Sequence, residues 1–358
     1  MLGRCLLIAF AACAPMAQAD EFFTLKGHGG PVMGIAVSTS SGQVATASVD
    51  NSVGLWQTQK PEWLEGHRAA VNAVAFVDEA RLVSADDDFA LIDWDLSTRK
   101  GALRGTHQAK ITALAVSPSG GVVASANWDG SIGLWADGGS PPQFLSGHKA
   151  GVNTVSFNSD GTRLYSDSAD GTIRVGDVAT ATEYQLLLSH GFGVNEIVLD
   201  TAAGWLAYGA LDGSTRIVDI TNGTPLRDFS LEYRPILAMA YDPLRQQLAV
   251  GDGEGFIMLI DTAAWRIKRD FRAAARGPIW ALAFSPDGTN IHAGGPDNVM
   301  YFTARCDDGR LWSHVHSRAV FSGRPDNCAK RRTTVQTQML DLSHDKPWIC
   351  PKGRPDTL

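Results

Sequence analysis

An apolar six-residue pattern occurs seven times in this chain, and this repetition restricts the possible folds more than any other feature. The seven segments begin at residues 32, 71, 111, 152, 194, 236 and 279, so they lie 39 to 43 residues apart. Within each segment the side chains alternate with a period of two, as in residues 71–76 (VNAVAF), which is typical of a β-strand. A regular period of this length predicts one small unit per repeat and not two unrelated domains.

Each repeat continues with further short strands separated by turns. A second strand is predicted at residues 44–48, 122–127, 164–168 and 206–210. A tight turn containing aspartate then leads to a third strand that ends in a large residue, most clearly in 50–56 (DNSVGLW) and 129–135 (DGSIGLW). The 37 glycines and 16 prolines agree with many turns and short elements. Every repeat is therefore predicted to form a small β-sheet.

The chain resembles the WD40 repeat family. Gly27-His28, Gly66-His67 and Gly147-His148 supply the Gly-His element of that family, and Trp94-Asp95 supplies its Trp-Asp dipeptide. The resemblance extends from residue 21 to about residue 303. It implies an all-β propeller whose blades are four-stranded sheets around a central channel.

The number of third strands predicts the number of blades. The positions that correspond to the third-strand tryptophan are Trp56, Trp94, Trp135, Gly176, Val218, Ile260 and Phe302. These seven positions predict a seven-bladed β-propeller spanning residues 20–303. The last repeat lacks a fourth strand, and residues 22–25 (FFTL) precede the first repeat, so we expect the N-terminal strand to pair with the last blade and close the ring.

The resemblance also implies a structural role for the recurring polar residues. In the family, a histidine, a turn aspartate, a second-strand hydroxyl and the tryptophan form a hydrogen-bonded relay inside each blade. The residues predicted to form it are His28, Ser48, Asp50 and Trp56 in the first repeat, His67, Asp88 and Trp94 in the second, His107, Asp129 and Trp135 in the third, and His148, Ser168 and Asp170 in the fourth. Repeats five to seven depart from this pattern.

A catalytic or metal-binding role for these histidines is the alternative interpretation. It is disfavoured because each histidine is separated from the next by a whole repeat, so they cannot converge on one ion. Asp86-Asp87-Asp88 could suggest calcium, but this run coincides with a predicted turn and has no matching second cluster. The sequence contains neither a Gly-x-Ser-x-Gly nor a His-Glu-x-x-His motif. We therefore predict a non-enzymatic protein without cofactor or metal.

One face of the predicted propeller is expected to bind a protein partner. In the family, residues next to the start of the first strand and just before the turn aspartate are exposed on that face. The corresponding residues are Trp128, Trp280, Met33, Lys110, Asn72, Asn153, Asn195, Leu211 and Leu237. Large aromatic residues are common anchors of protein interfaces, so Trp128 and Trp280 are the strongest candidates. The alternative is that they pack on neighbouring loops.

A carboxylate interrupts a row of small residues in the first strands. Gly34, Ala73, Ala113, Thr154, Ala238 and Ala281 hold this position in the other repeats, and Glu196 holds it in the fifth. Small side chains suit the wall of a narrow channel, so Glu196 is expected there as a solvated residue or as part of a small site.

Residues 1–19 are interpreted as an export signal. Arg4 is their only charged residue, a short apolar run follows it, and Ala17-Gln18-Ala19 forms a cleavage site before Asp20. The run is too short to cross a bilayer. This predicts an exported, periplasmic or secreted protein, while Cys13 leaves a lipoprotein signal as an alternative.

Residues 304–358 do not continue the repeat. They carry ten Lys or Arg and six Asp residues, so their net charge is +4, whereas the whole chain has −7. This basic tail is predicted to be disordered, and the alternative is an arm that binds an anionic partner. Some exported bacterial propellers that the chain resembles carry a c-type cytochrome domain here, but residues 328–332 (CAKRR) lack the haem-attachment motif. The pairing of Cys306, Cys328 and Cys350 stays open.

These features favour a monomeric protein-interaction scaffold of the cell envelope. The acidic sequence, with a pI of about 5.7, argues against nucleic acid as a partner. The alternative is an accessory component of a redox or enzyme system whose catalytic or haem domain lies in a partner or has been lost.

Overall fold

The computed structural model describes residues 24–57, 60–181, 184–230, 234–274, 277–296 and 299–303. Within these ranges the chain forms twenty-eight β-strands and no helix. The predicted signal (1–19) and tail (304–358), with the three cysteines of the tail, lie outside them.

The strands form seven antiparallel sheets of four strands each. Sheet 1 contains β2 (Val32–Val37), β3 (Val44–Ser48), β4 (Val53–Trp56) and β5 (Pro61–Leu64). Sheet 2 contains β6 (Val71–Phe76), β7 (Arg81–Asp86), β8 (Ala90–Asp95) and β9 (Lys100–Thr106). Sheet 3 contains β10 (Ile111–Val116), β11 (Val122–Asn127), β12 (Ser131–Ala136) and β13 (Gln143–Ser146). Sheet 4 contains β14 (Val152–Phe157), β15 (Arg163–Ser168), β16 (Thr172–Asp177) and β17 (Tyr184–Ser189).

The remaining three sheets follow the same order along the chain, except that the last takes a strand from the N-terminus. Sheet 5 contains β18 (Val194–Asp200), β19 (Trp205–Ala210), β20 (Thr215–Asp219) and β21 (Pro225–Asp228). Sheet 6 contains β22 (Ile236–Asp242), β23 (Gln247–Asp252), β24 (Phe256–Asp261) and β25 (Arg266–Arg272). Sheet 7 contains β26 (Ala281–Phe284), β27 (Asn290–Gly294), β28 (Val299–Thr303) and β1 (Thr24–Leu25).

The sheets are arranged as a propeller. The first strand of each sheet contacts the first strand of the next, and β26 of sheet 7 contacts β2 of sheet 1. Strand β1 pairs with β28, with Thr24 opposite Met300 and Leu25 opposite Val299. The prediction of an all-β propeller is confirmed by this architecture.

The core is divided among the interfaces between neighbouring sheets. One cluster of buried apolar residues lies at each interface; the cluster between sheets 1 and 2 includes Leu55, Val71 and Leu82. The cluster between sheets 7 and 1 joins Leu25 of β1 to Val32 and Val44. The alternating residues of the strands therefore bury both faces of each sheet.

The turns and first strands depart from ideal strand geometry at defined positions. The first strands of sheets 1 to 6 each carry a β-bulge after their first residue; in sheet 1, Val32 pairs with Ser48 but Gly34 pairs with Ala47. Gly130, in the turn after β11, has φ of +87°, which a residue with a side chain rarely adopts. Among the described residues no helix has the length and apolarity needed to cross a membrane.

Candidate functional site

The repeated histidines lie inside single sheets, each within a short chain of hydrogen bonds. In sheet 2, His67 Nδ1 lies 2.7 Å from Asp86 Oδ2, and its Nε2 lies 2.5 Å from Ser84 Oγ. The indole N–H of Trp94 donates to the same hydroxyl oxygen at 2.7 Å. The ring therefore donates through Nδ1 to the carboxylate and accepts the Ser84 proton through Nε2. All four side chains are buried, so this relay of hydrogen bonds pairs polar groups that would otherwise be unsatisfied.

Sheet 1 contains the same relay of hydrogen bonds, but the hydroxyl in it belongs to Thr46 and not to Ser48. Thr46 Oγ1 lies 2.7 Å from His28 Nε2 and accepts the N–H of Trp56 at 2.8 Å. Ser48 donates instead to the carbonyl oxygen of Gly30 at 3.1 Å. The prediction of Ser48 as the relay hydroxyl is therefore wrong.

The same displacement of two residues occurs in sheet 4. Ser166 Oγ lies 2.9 Å from His148 Nε2, whereas Ser168 donates to the carbonyl of Gly151 at 2.8 Å. Residues two apart on a strand point to the same side of the sheet, so alternation alone does not distinguish them. The orientation of the histidine ring distinguishes them. Because Nδ1 faces the turn, Nε2 on the other side of the ring contacts the hydroxyl that is farther from the turn, which is Ser166 and not Ser168. The prediction of Ser168 is wrong for this reason.

The group opposite histidine Nδ1 is the turn aspartate in sheets 1 and 4, as the sequence suggested. Asp50 Oδ2 lies 2.9 Å from His28 Nδ1, and Asp170 Oδ2 lies 3.3 Å from His148 Nδ1. Asp170 also accepts the backbone N–H of Lys149 at 2.8 Å. Each carboxylate thereby links the second turn of its sheet to the loop that precedes the first strand.

In sheets 2 and 3 this group is the last residue of the second strand, so the predictions of Asp88 and Asp129 are wrong. Asp86 takes this place in sheet 2, and in sheet 3 the amide nitrogen of Asn127 lies 2.7 Å from His107 Nδ1. Asp88 is exposed, and Asp129 accepts hydrogen bonds within its own turn. An aspartate or asparagine at the strand end reaches the ring, whereas the shorter serine in sheets 1 and 4 does not.

The relay tryptophans of sheets 2 and 3 each lie against a glycine in or next to the outermost strand of the preceding sheet. In sheet 3 the indole N–H of Trp135 donates to Ser125 at 2.7 Å, and a Cβ on Gly105 would stand only 2.2 Å from the Trp135 ring. A Cβ on Gly66 would stand 3.0 Å from the ring of Trp94. Gly66 of the Gly-His element, and Gly105 two residues before His107, thus leave space for an indole.

Two of the relay histidines, His107 and His148, are neutral at neutral pH. Burial lowers the pKa of His107 and of His148 to about 4. Burial by itself would raise the pKa of Asp170, but hydrogen bonds from Thr172 and from backbone N–H groups outweigh it and lower that pKa to about 2. Within the described part of the chain, no three His, Cys, Asp or Glu side chains are grouped as a metal site would require. The hydrogen bonds of each relay hold the strands of one sheet together.

The turns between second and third strands and the loops before the first strands lie on one face, called here the loop face. Trp128 is 52% exposed there, and its ring lies 4.4 Å below the ammonium group of Lys110. The indole also covers Gly151 of the next sheet, where a Cβ would stand 3.0 Å from it. Leu211 is 50% exposed and Phe192 58% exposed on the same face. The loop face therefore presents apolar residues from sheets 3 to 5.

The three asparagines that were predicted to bind a partner on this face use their side chains for hydrogen bonds between sheets. The Nδ2 atoms of Asn72, Asn153 and Asn195 each donate to the carbonyl of the first residue of the next first strand, at 2.9, 2.6 and 2.8 Å. Thr112 makes the equivalent contact from sheet 3 at 2.6 Å. Those carbonyls lie at the β-bulges, where the ladder is interrupted. These side chains therefore join neighbouring sheets, a role that sequence reasoning missed.

The position that Asn72, Asn153 and Asn195 occupy in their sheets is held in sheets 1, 6 and 7 by Met33, Leu237 and Trp280. These three side chains are half-buried. Sequence reasoning did not identify three exposed apolar residues of the loop face, Val49, Phe89 and Phe192. Val49 and Phe89 lie next to a predicted turn, and this position was the available signal for them.

Two acidic side chains lie near each other between sheets 4 and 5. Asp167 is fully buried, and its Oδ1 accepts the hydroxyl proton of Thr154. The Thr154 oxygen in turn accepts the backbone N–H of Ile197, next to Glu196, at 3.3 Å. Burial raises the pKa of both carboxyl groups well above their usual range, and their mutual repulsion raises that of Glu196 further.

Sheet 6 replaces the relay by an ion pair. Arg234 lies 3.0 Å from the buried carboxylate of Asp252, and its guanidinium lies 5.0 Å from the ring centre of Phe256. Asp252 occupies the same strand-end position as Asp86 and Asn127 in sheets 2 and 3. A polar contact at this position thus persists where the histidine is absent.

Comparison with known proteins identifies four of the repeats. The WD40 family (WD domain, G-beta repeat) matches residues 20–57, 99–136, 139–177 and 266–302. A guanine nucleotide-binding protein subunit beta of Nicotiana tabacum is 27% identical over 176 residues, which are 43% of this chain and 47% of that protein. The ribosome biogenesis protein YTM1 of Yarrowia lipolytica is 31% identical over 182 residues, 50% of this chain and 27% of that protein.

The chain thus spans less than half the length of these relatives. The matched repeats, the propeller of four-stranded sheets and the His–hydroxyl–Trp relays agree with one another. In four of its repeats the chain matches the WD40 repeat family.

Proposed function

We propose that this protein is a non-catalytic scaffold that binds a partner protein through the loop face. The observation that carries the proposal is the half-exposed indole of Trp128, held between Lys110 and Gly151. An aromatic side chain fixed by its neighbours loses little conformational freedom on binding, and such residues dominate the energetics of protein interfaces. Leu211 and Phe192 extend the apolar surface across the next two sheets.

The relatives support a role in assembly. One of them is named as a subunit of a larger protein, the guanine nucleotide-binding protein. The buried relays explain the recurrent histidines and aspartates without catalysis, because they pair polar groups inside single sheets. Trp280 and Met33, which are half-buried, would contribute to the loop face from sheets 7 and 1.

We also propose that the seven sheets are the blades of one closed, monomeric propeller. The pairing of β1 with β28 and the apolar cluster that joins Leu25 to Val32 support closure. The export of the chain to the cell envelope rests on residues 1–19 alone. N-terminal sequencing of the protein isolated from its own cells tests export, with a mature N-terminus near Asp20 expected.

The proposed surface is tested with a partner identified by crosslinking to the wild-type protein. Trp128→Asp with Leu211→Asp is expected to weaken binding to that partner by about 30-fold or more, since an interface anchor contributes roughly 2 kcal/mol or more. The matched control is Leu103→Asp with Leu244→Asp, two exposed leucines outside the loop face. Equal affinities of wild-type protein and loop-face variant, with unchanged melting temperature, would refute the proposal.

A further inference from the structure

The turn between the second and third strands holds one residue in the left-handed backbone conformation in each of sheets 1 to 6. These six residues have φ between +69° and +88°, and they are Asn51, Phe89, Gly130, Gly171, Gly213 and Gly255. Glycine adopts this conformation without steric cost, and asparagine tolerates it better than most residues that have a side chain. Phe89 of sheet 2 is therefore the exception among these turns.

The neighbouring loop makes this position unfavourable for a side chain in other sheets as well. In sheet 3, a Cβ on Gly130 would stand 2.9 Å from the carbonyl oxygen of His148, in the loop before the next sheet. In sheet 2 the corresponding loop is also close, because the backbone N–H of His107 donates to the carbonyl oxygen of Phe89 at 2.9 Å. A bulky residue in this conformation carries backbone strain that glycine would avoid.

The ring of Phe89 does not offset this strain by building the core. It is 38% exposed on the loop face, and it belongs to none of the seven buried apolar clusters between the described sheets. Strained backbone of this kind is concentrated at functional sites, where the side chain is needed for a purpose other than folding. The strain and the exposure of Phe89 together indicate a binding residue.

Phe89 lies in the same part of the loop face as Trp128. The loop of residues 107–110 runs between the turns that carry these two residues. At its start His107 bonds to the carbonyl of Phe89, and at its end the carbonyl oxygen of Lys110 accepts the backbone N–H of Trp128 at 3.0 Å. The two exposed aromatic residues therefore flank one loop, in sheets 2 and 3.

Two exposed carboxylates accompany the ring of Phe89. Asp87 and Asp88 directly precede it in the turn. The side-chain amide of Asn72 donates to Oδ1 of Asp87 at 2.7 Å, which fixes the position of that carboxylate. An aromatic ring next to negative charge is complementary to an apolar side chain that is accompanied by a cation.

We propose that Phe89 is a second anchor of the loop face, and that it binds a segment of the partner protein in which an apolar side chain adjoins a lysine or arginine. The ring would contact the apolar side chain, and Asp88 would pair with the cation. This inference rests on the proposed function, because it concerns the same face and the same partner. Phenylalanine is retained at a position that favours glycine because the exposed ring contributes to binding.

The test compares two variants that both remove the ring, Phe89→Gly and Phe89→Ala, of which only glycine relieves the strain. Both should weaken binding to the partner identified by crosslinking at least tenfold. Phe89→Gly should melt at or above the temperature of the wild-type protein, and about 2–4 °C above Phe89→Ala. The control is Gln246→Gly, which removes a side chain from the left-handed conformation (φ +51°) in a turn on the opposite face and should leave the affinity unchanged.

The charge of the partner segment is tested separately with Asp88→Asn. This variant should bind the same protein several-fold more weakly at low salt, and its affinity should depend less on salt concentration than that of wild type. An unchanged affinity and salt dependence would overturn the assigned cation.

The outcomes separate this inference from the proposed function. Wild-type affinity of Phe89→Gly, with binding weakened in Trp128→Asp, would overturn the role of Phe89 and leave binding through the loop face intact. Wild-type affinity of both variants would refute the proposed function as well. A melting temperature of Phe89→Gly below that of Phe89→Ala would overturn the assignment of strain, whatever the affinities.

Discussion

Replacing Thr46 by valine removes one hydroxyl from the relay of sheet 1 and almost nothing else. Valine has the shape of threonine, so the change leaves no cavity at this fully buried position. It deprives two buried groups of their partner, the indole N–H of Trp56 and Nε2 of His28. An unpaired buried group costs roughly 1–3 kcal/mol, so we expect the free energy of unfolding to fall by about 2–4 kcal/mol.

The assay is urea unfolding at neutral pH, with thermal unfolding in parallel. The loss corresponds to a fall of roughly 5–10 °C in melting temperature for a domain of this size. Ser48→Ala is the matched control because Ser48 bonds only to turn backbone, and it should cost about 1 kcal/mol or less. A cost of Ser48→Ala equal to or above that of Thr46→Val would refute the assignment of Thr46 to the relay.

Three further predictions concern packing and pH. Gly105→Ala should destabilise the protein by about 3 kcal/mol because its Cβ would stand 2.2 Å from an indole, whereas Gly191→Ala, with nothing within 4 Å, should be nearly neutral in the same urea assay. Since burial lowers the pKa of His107 and His148 to about 4, the unfolded chain binds more protons than the folded chain between pH 6.5 and 4. These histidines should lower stability as the pH falls through that window, and His148→Gln should show a shallower loss than wild type; identical urea midpoint profiles would contradict this. Burial raises the pKa of Asp167, so its contribution to stability is full below pH 3.8 and is lost as the pH rises. The stability of Asp167→Asn relative to wild type should therefore increase from pH 4 to pH 8, and a difference independent of pH would contradict the assignment.

The strands and their order follow from local features of the sequence. Alternation with a period of two defines β3 (Val44–Ser48) and β11 (Val122–Asn127) at the predicted bounds. The prediction for the last first strand was less accurate, because β26 begins at Ala281 and not at residue 279. Ile279 bonds instead to the carbonyl of Asp252 in the neighbouring sheet, which no local pattern indicates.

The relay residues illustrate what sequence reasoning could not decide. Thr46 and Ser48 point to the same side of one strand, and only the reach of His28 selects between them. In the same way, Asn153 is a polar residue typical of an exposed contact surface, yet its side-chain amide donates a hydrogen bond to the carbonyl oxygen of Val194, 41 residues away. Contacts between repeats depend on how neighbouring sheets pack against each other, so the sequence of a single repeat does not indicate them.

The most direct test of the scaffold function is site-specific photo-crosslinking in the cells that produce the protein. A photoreactive phenylalanine analogue is placed at Trp128 in one variant and at Leu244, which is 80% exposed in a turn on the opposite face, in another. We predict a crosslink to one defined protein from position 128 and none to that protein from position 244. Crosslinking of the same protein from both positions, or only from position 244, would contradict binding through the loop face.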